Sequence, residues 1–163
     1  MKLNETIEFY IRTTSLSLSR MYNSIAAKYG ITQTIGYILT YVGREGTPST
    51  KLAQLLGMKN SSLTRLLKKM EKDGCIYRRV SPDDKRVVKI FLTEKGVQRR
   101  KIAKKVVLDF NQKLLDKVDR EDMKTFFKVF DIIKEQVAIE LGEAPAKETQ
   151  NLEKQINDGQ LVH

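Results

Sequence analysis

The chain has 163 residues, 40% of them hydrophobic and 31% charged, with a formal net charge of +10, one cysteine and one histidine. That length suits one compact domain with a real core, and no apolar run approaches the roughly 18 to 20 residues needed to cross a bilayer. A single cysteine excludes an internal disulfide framework, and the opening MKLNETIEFY lacks the continuous apolar stretch of a signal peptide, so a cytoplasmic location is expected.

In chain order, Ile7, Ile11, Thr14, Leu18, Met21 and Ile25 alternate at spacings of four and three. This predicts a helix of about 25 residues, roughly 37 Å long, with a heptad-like seam interrupted at Thr14. Gly30 closes it, and a second helix follows over about Thr32 to Arg44 with Ile35, Ile38, Leu39 and Val42 inward. After the break GREGTP, STKLAQLLG reads as a short helix capped by Ser49, burying Leu52, Leu55 and Leu56 and stopped by Gly57.

The next segment, NSSLTRLLKKMEKDG, puts Leu63, Leu66, Leu67 and Met70 on one helical stripe. Its opposite side carries only hydroxyls and cations: Ser61, Ser62, Arg65, Lys68, Lys69 and Lys72. From Cys75 the period changes to two. CIYRRV and VVKIFL flank the polar loop SPDDKR, which predicts a hairpin. Thr93 then caps a long helix with Val97, Ile102, Val106, Phe110 and Leu114 on its apolar side. A last helix from about Arg120 carries Met123, Phe126 or Phe127, Phe130, Ile133, Val137 and Leu141, and a polar tail, 143–163, is expected to be mobile or weakly helical.

Charge is not spread evenly along these elements. Residues 44–101 carry 16 Lys and Arg against 6 Asp and Glu, so the whole surplus sits there and the remainder is balanced. Such a field concentrates polyanions around it, nucleic acid first and an anionic membrane surface second. Two helices joined by a tight glycine-containing turn, the second polar on one side, form a helix-turn-helix, and the hairpin makes it a winged one. An α-helix fits the major groove of B-DNA, about 12 Å wide, and a cationic hairpin tip can reach the neighbouring minor groove.

The run from Ser49 to Gly96 resembles the MarR family of transcription regulators, named for multiple antibiotic resistance. The resemblance rests on Leu52-Ala53 with Leu56-Gly57, Thr64-Arg65-Leu66, Glu71 with Gly74, Arg78-Arg79, Asp84-Lys85-Arg86, and Leu92-Thr93 with Gly96. No one of these is specific alone; their order is. It implies a mainly α fold with a small β-hairpin wing, as a single domain over 1–142. The winged helix-turn-helix would occupy about 32–96, and the helices at about 3–29 and 94–141 would interleave in an obligate homodimer. The long seams agree independently, since an apolar stripe of that length on a small domain needs a partner surface. Two lobes would then meet half-sites about one helical turn apart on a near-palindromic operator.

The resemblance also implies roles. Arg65 would contact DNA from the second turn of the recognition helix, pairing a guanine edge or clamping a phosphate. Asn60, Ser61, Ser62 and Thr64 are short polar groups near the helix start, although Thr64 could instead bond back to its own helix. Lys68, Lys69 and Lys72 suit backbone phosphate. In the wing, Arg86 would enter the minor groove with Asp84 fixing its direction, and Lys85 would add unspecific attraction. The family often has Ser, Thr or Asp where this chain has Lys59, so Asn60 or Ser61 is expected to supply the cap, which leaves open which of Ser61 and Ser62 faces the groove.

Relatives in the family often bind small aromatic anions between the dimer helices and the winged lobe. Tyr10, Arg12, Tyr22, Tyr37 and Tyr41 are candidates for such a crevice, the alternative being ordinary core. Cys75 reads as a buried filler rather than a sensor, and His163 ends the polar tail. With no phosphate-cradling glycine loop, no metal-ligand cluster and no histidine to serve a nucleophile, neither an enzyme nor a cofactor is expected. The reading is a sequence-specific DNA-binding regulator, a repressor rather than an activator. A winged-helix RNA-binding protein and a protein-interaction module are the alternatives.

Overall fold

A computed structural model describes residues 2–82 and 84–143. The tail beyond Glu143, with His163, lies outside the described residues. The chain divides into two compact units, Met1–Asp109 and Phe110–His163, each taken by itself below.

The first unit opens with a short 3-10 turn, Leu3–Glu5, and helix α1, Ile7–Ala27. Thr6 caps α1 by accepting the Phe9 N–H at 3.3 Å, so the helix is 21 residues long rather than the expected 25 or so. No α1 residue is buried. Along its seam, Ile7 and Ile11 are exposed, whereas Leu18, Met21 and Ile25 are half-buried nearer α2. Helix α2, Gln33–Tyr41, is capped by the Thr32 hydroxyl and ends three residues short of Arg44. Its Ile35, Ile38 and Leu39 are buried, together with Val42 just beyond it.

A two-residue strand, β1, Thr47–Pro48, precedes helix α3, Ser49–Leu55. The break GREGTP gave no sign of it, because two residues have no periodicity; their pairing to a distant strand makes them a strand. The buried Thr47 hydroxyl anchors the turn, accepting the Gly43 N–H at 2.9 Å and donating to the Tyr41 carbonyl at 3.2 Å. Two expectations for α3 are corrected. Ser49 is the first helical residue behind Pro48, not a cap, and Leu55 is exposed while Ala53 is buried in its stead. The core lies on the side of α3 shared by Leu52 and Ala53, and at about 100° per residue Leu55 falls roughly 160° around the helix from Ala53.

Helix α4, Asn60–Lys72, seals Leu63, Leu67 and Met70 beneath it. Strands β2, Ile76–Val80, and β3, Val88–Leu92, form the hairpin, and the sheet runs β1-β3-β2 with antiparallel neighbours. Pro48 is tolerated because β1 is an edge strand.

Helix α5, Glu94–Leu115, begins under the Thr93 hydroxyl, which accepts the Gly96 N–H at 3.1 Å and donates to the Gly74 carbonyl at 2.6 Å. A Cβ on Gly96 would run into the Cys75 carbonyl, so only glycine lets α5 lie this close to the strand entrance. Three cations of α5 are spent on internal carbonyl and thiol groups. Lys95 donates to the Asp73 carbonyl (2.7 Å), Arg99 to the Cys75 thiol (3.2 Å) and Arg100 to the Val42 carbonyl (3.1 Å). The core of this unit gathers side chains from α2, α3, α4, β2 and β3, with Cys75 inside it as a filler.

The second unit holds the end of α5 and helix α6, Arg120–Glu140. Asp119 caps α6 by accepting the Asp122 N–H at 2.8 Å. None of its residues is buried, and Phe126, Phe127, Ile132, Val137 and Ile139 are all exposed.

Candidate nucleic-acid interface

The α4 surface follows from its buried stripe. With Leu63, Leu67 and Met70 facing the core, the helical period turns Ser61, Ser62, Arg65, Lys68, Lys69 and Lys72 outward, and all six are exposed. Lys59, not Asn60 or Ser61, occupies the cap position, and no side chain closes the helix start. The first backbone N–H groups of α4 are therefore left for an outside acceptor, where the helix dipole also favours an anion. Thr64 bonds back to the Asn60 carbonyl at 2.8 Å, so its hydroxyl proton is committed within the helix.

The wing tip is organised around Asp84. Its carboxylate accepts the Arg86 backbone N–H at 2.9 Å and both Nε and Nη2 of the same guanidinium at 3.1 and 3.3 Å. These bonds from Arg86, the side chain's first, hold the Asp84 carboxyl below the usual carboxylate range. The Arg86 side chain is nonetheless 91% exposed. It projects as a cation whose direction is set before anything binds. Lys85 beside it is exposed.

Two arginines next to the hairpin entrance had appeared only as parts of a motif. Arg78 Nε lies 3.1 Å from Glu71 Oε2, tying β2 to α4. Arg79 lies over the rings of Tyr77 and Phe91, 5.1 and 5.8 Å from their centroids. Reading the strand alternation together with the hairpin register would have separated these roles.

Of the aromatic candidates, three come together. The Tyr37 and Tyr41 rings stack at 6.2 Å, Gln33 Nε2 donates to the Tyr37 hydroxyl at 3.0 Å, and Tyr22 is near enough to Tyr37 for the two phenols to influence each other's ionisation. Burial first, and Tyr37 second, push the Tyr22 phenol up. Tyr10 and Arg12 stand apart, since Tyr10 is about 18 Å along α1 from Tyr22 by helical rise. Both are exposed, with Tyr10 edge-on to Phe9.

Among the described residues no group of His, Cys, Asp and Glu gathers where a metal could sit, and no helix is long and apolar enough to cross a membrane. A basic helix in a helix-turn-helix, followed by a wing tipped with a fixed arginine, is the arrangement of a winged-helix fold. The model of the MarR family matches residues 37–88. The organic hydroperoxide resistance transcriptional regulator of Bacillus subtilis is 33% identical over 98 residues, which is 59% of this chain and 66% of that protein. The HTH-type transcriptional regulator SarZ of Staphylococcus saprophyticus is 28% identical over 130 residues, covering 76% and 89%.

Two solved structures share the fold. The MepR–DNA complex of S. aureus superposes with a TM-score of 0.72 at 21% identity, covering 78% of this chain and 96% of that one. The transcriptional regulator SlyA gives 0.70 at 22%, covering 80% and 93%. The chain belongs to the MarR family, and its curated relatives are transcription regulators, not enzymes.

Proposed function

We propose that the chain is a cytoplasmic, homodimeric DNA-binding repressor, placing α4 in the major groove and Arg86 in the adjoining minor groove of a near-palindromic operator. The observation that carries this reading is the pairing, within one unit, of an α4 face made only of hydroxyls and cations with a wing cation already aimed by Asp84. Arg65 reads base edges, while Lys68, Lys69 and Lys72 meet phosphate. MepR, whose fold is similar, has been solved with DNA, which favours duplex DNA over structured RNA or a protein partner.

The exposed apolar side chains of α1 and α6 support the dimer. Phe9, Ile11 and Leu16 on one helix and Phe127, Val137 and Ile139 on the other lie open in a single chain, and a second copy supplies the cover. A small aromatic anion beside Tyr22, Tyr37 and Tyr41 is the proposed effector, with Tyr10 and Arg12 outside that cluster. If saturating aromatic acids leave operator affinity unchanged, the effector is removed from the reading.

Selection of bound sequences from random duplex DNA at fixed salt tests the whole. The expected outcome is a near-palindrome with half-sites about 10 base pairs apart. No enrichment, or stronger competition by duplex RNA, would contradict it.

A further inference from the structure

The hairpin register sets Arg79 directly across from Lys89, and Tyr77 across from Phe91. Strand alternation puts these four on the face of the sheet opposite Ile76 and Ile90, which are buried. Like charges placed across a ladder destabilise it. Among the described residues neither cation has a carboxylate partner, in contrast to Arg78 on the other face, which has Glu71.

The arginine of the pair is nevertheless held in place. Tyr77 and Phe91 stack at 5.3 Å and 11°, and Arg79 lies over both rings. Phe91 presses on Gly46, at φ +75°, where a Cβ would overlap the ring. The result is an exposed guanidinium whose freedom has been reduced, beside an ammonium, with no carboxylate paired to either among the described residues.

Position suggests what does. The Arg79–Lys89 rung is one step, about 3.4 Å, behind the last pair of the ladder, Val80–Val88, beyond which lies the tip with Arg86. A minor groove is about 7.5 Å deep, so a tip inserted in it brings the rungs just behind level with the phosphates of its rim. We propose that Arg79 and Lys89 form a phosphodiester site on the outer face of the wing, with Tyr77 and Phe91 positioning Arg79, and that its occupant is a backbone phosphate of the duplex gripped by Arg86. This rests on the DNA-binding reading above.

The test measures affinity of the full-length chain for its selected duplex across a salt series. Arg79→Ala with Lys89→Ala should weaken binding several-fold and reduce the log–log salt slope by about one unit, the share of one phosphate. Tyr77→Leu keeps both charges, so the slope should stay while affinity falls a few-fold. Lys89→Glu should raise the melting temperature, by setting an acid across from Arg79, while weakening binding roughly tenfold or more. A merely structural rung would move stability and affinity together.

Unchanged affinity and slope in the double variant, with Arg86→Ala still lowering both, would overturn the site and leave the DNA-binding reading standing. If the unsubstituted chain shows no preference for the selected duplex, the reading itself falls and the site with it.

Discussion

The long helices α1 and α6 are richer in apolar residues than the winged block, yet the two regions meet opposite fates in one chain. In the block, Ile38, Leu39, Leu52, Leu63 and Ile90 are all sealed to 1% exposure or less. In α1 and α6 no residue is buried. The first region stabilises itself with its own side chains. The second leaves its apolar side chains open in a single chain, and at about 25 cal/mol per Å² covering them would favour the proposed homodimer. On the proposed reading, DNA recognition and assembly are thereby separated along the chain.

The largest expected effect lies in the self-sufficient region. Leu67→Ala removes the side chain under the middle of α4, and urea unfolding should show a loss of about 2–5 kcal/mol. A loss below about 0.5 kcal/mol would mean that the block does not hold itself together as described.

Next comes the other side of the contrast. Phe127→Glu together with Val137→Glu alters side chains that are exposed in the single chain, so on a solvent face it should cost less than about 1 kcal/mol in all. If a second copy covers them, sedimentation should shift from dimer to monomer, and the melting temperature should fall and lose the concentration dependence that the unsubstituted dimer shows. An unchanged dimer would break the comparison.

Smaller effects sharpen it within the reading surface. Arg65→Ala should cost about 1–3 kcal/mol of specific binding and relax base preference, whereas Thr64→Val should change affinity less than about twofold, because that hydroxyl is already bonded to Asn60. Gel-shift titrations of the two variants decide the point.

The smallest effect concerns pH. Asp84 is depressed by Arg86, so its contribution is present above the ordinary carboxylate range and lost as pH falls through its lowered value. Between about pH 5 and 8 the clamp stays charged, and operator affinity should show no titration that Asp84→Asn abolishes.

Much of this was legible from periodicity. The stripe of Leu63, Leu67 and Met70 and the alternation around Tyr77 and Phe91 are local patterns, and local patterns survive translation into structure. The Asp84–Arg86 clamp was likewise readable, since the two residues are only two positions apart.

What escaped depended on distant partners. Strand β1 exists through its pairing with β3, with Thr47 opposite Ile90. Leu55 is left out because the elements packed on α3 lie on its Leu52 and Ala53 side. The open start of α4 at Lys59 ran against the expectation of a polar cap at Asn60 or Ser61. Of the five aromatic-crevice candidates, Tyr22, Tyr37 and Tyr41 converge through the packing of α1 on α2, which spacing along the chain does not reveal.

One measurement bears most directly on paired copies reading one duplex: affinity for the selected operator after inserting about 5 base pairs between its half-sites, half of a helical turn. Rotating one half-site to the far side of the helix should drop binding to the level of unrelated DNA. Affinity equal to that for the intact operator would mean that each winged unit reads alone, and the division between a reading block and an assembly surface would be wrong.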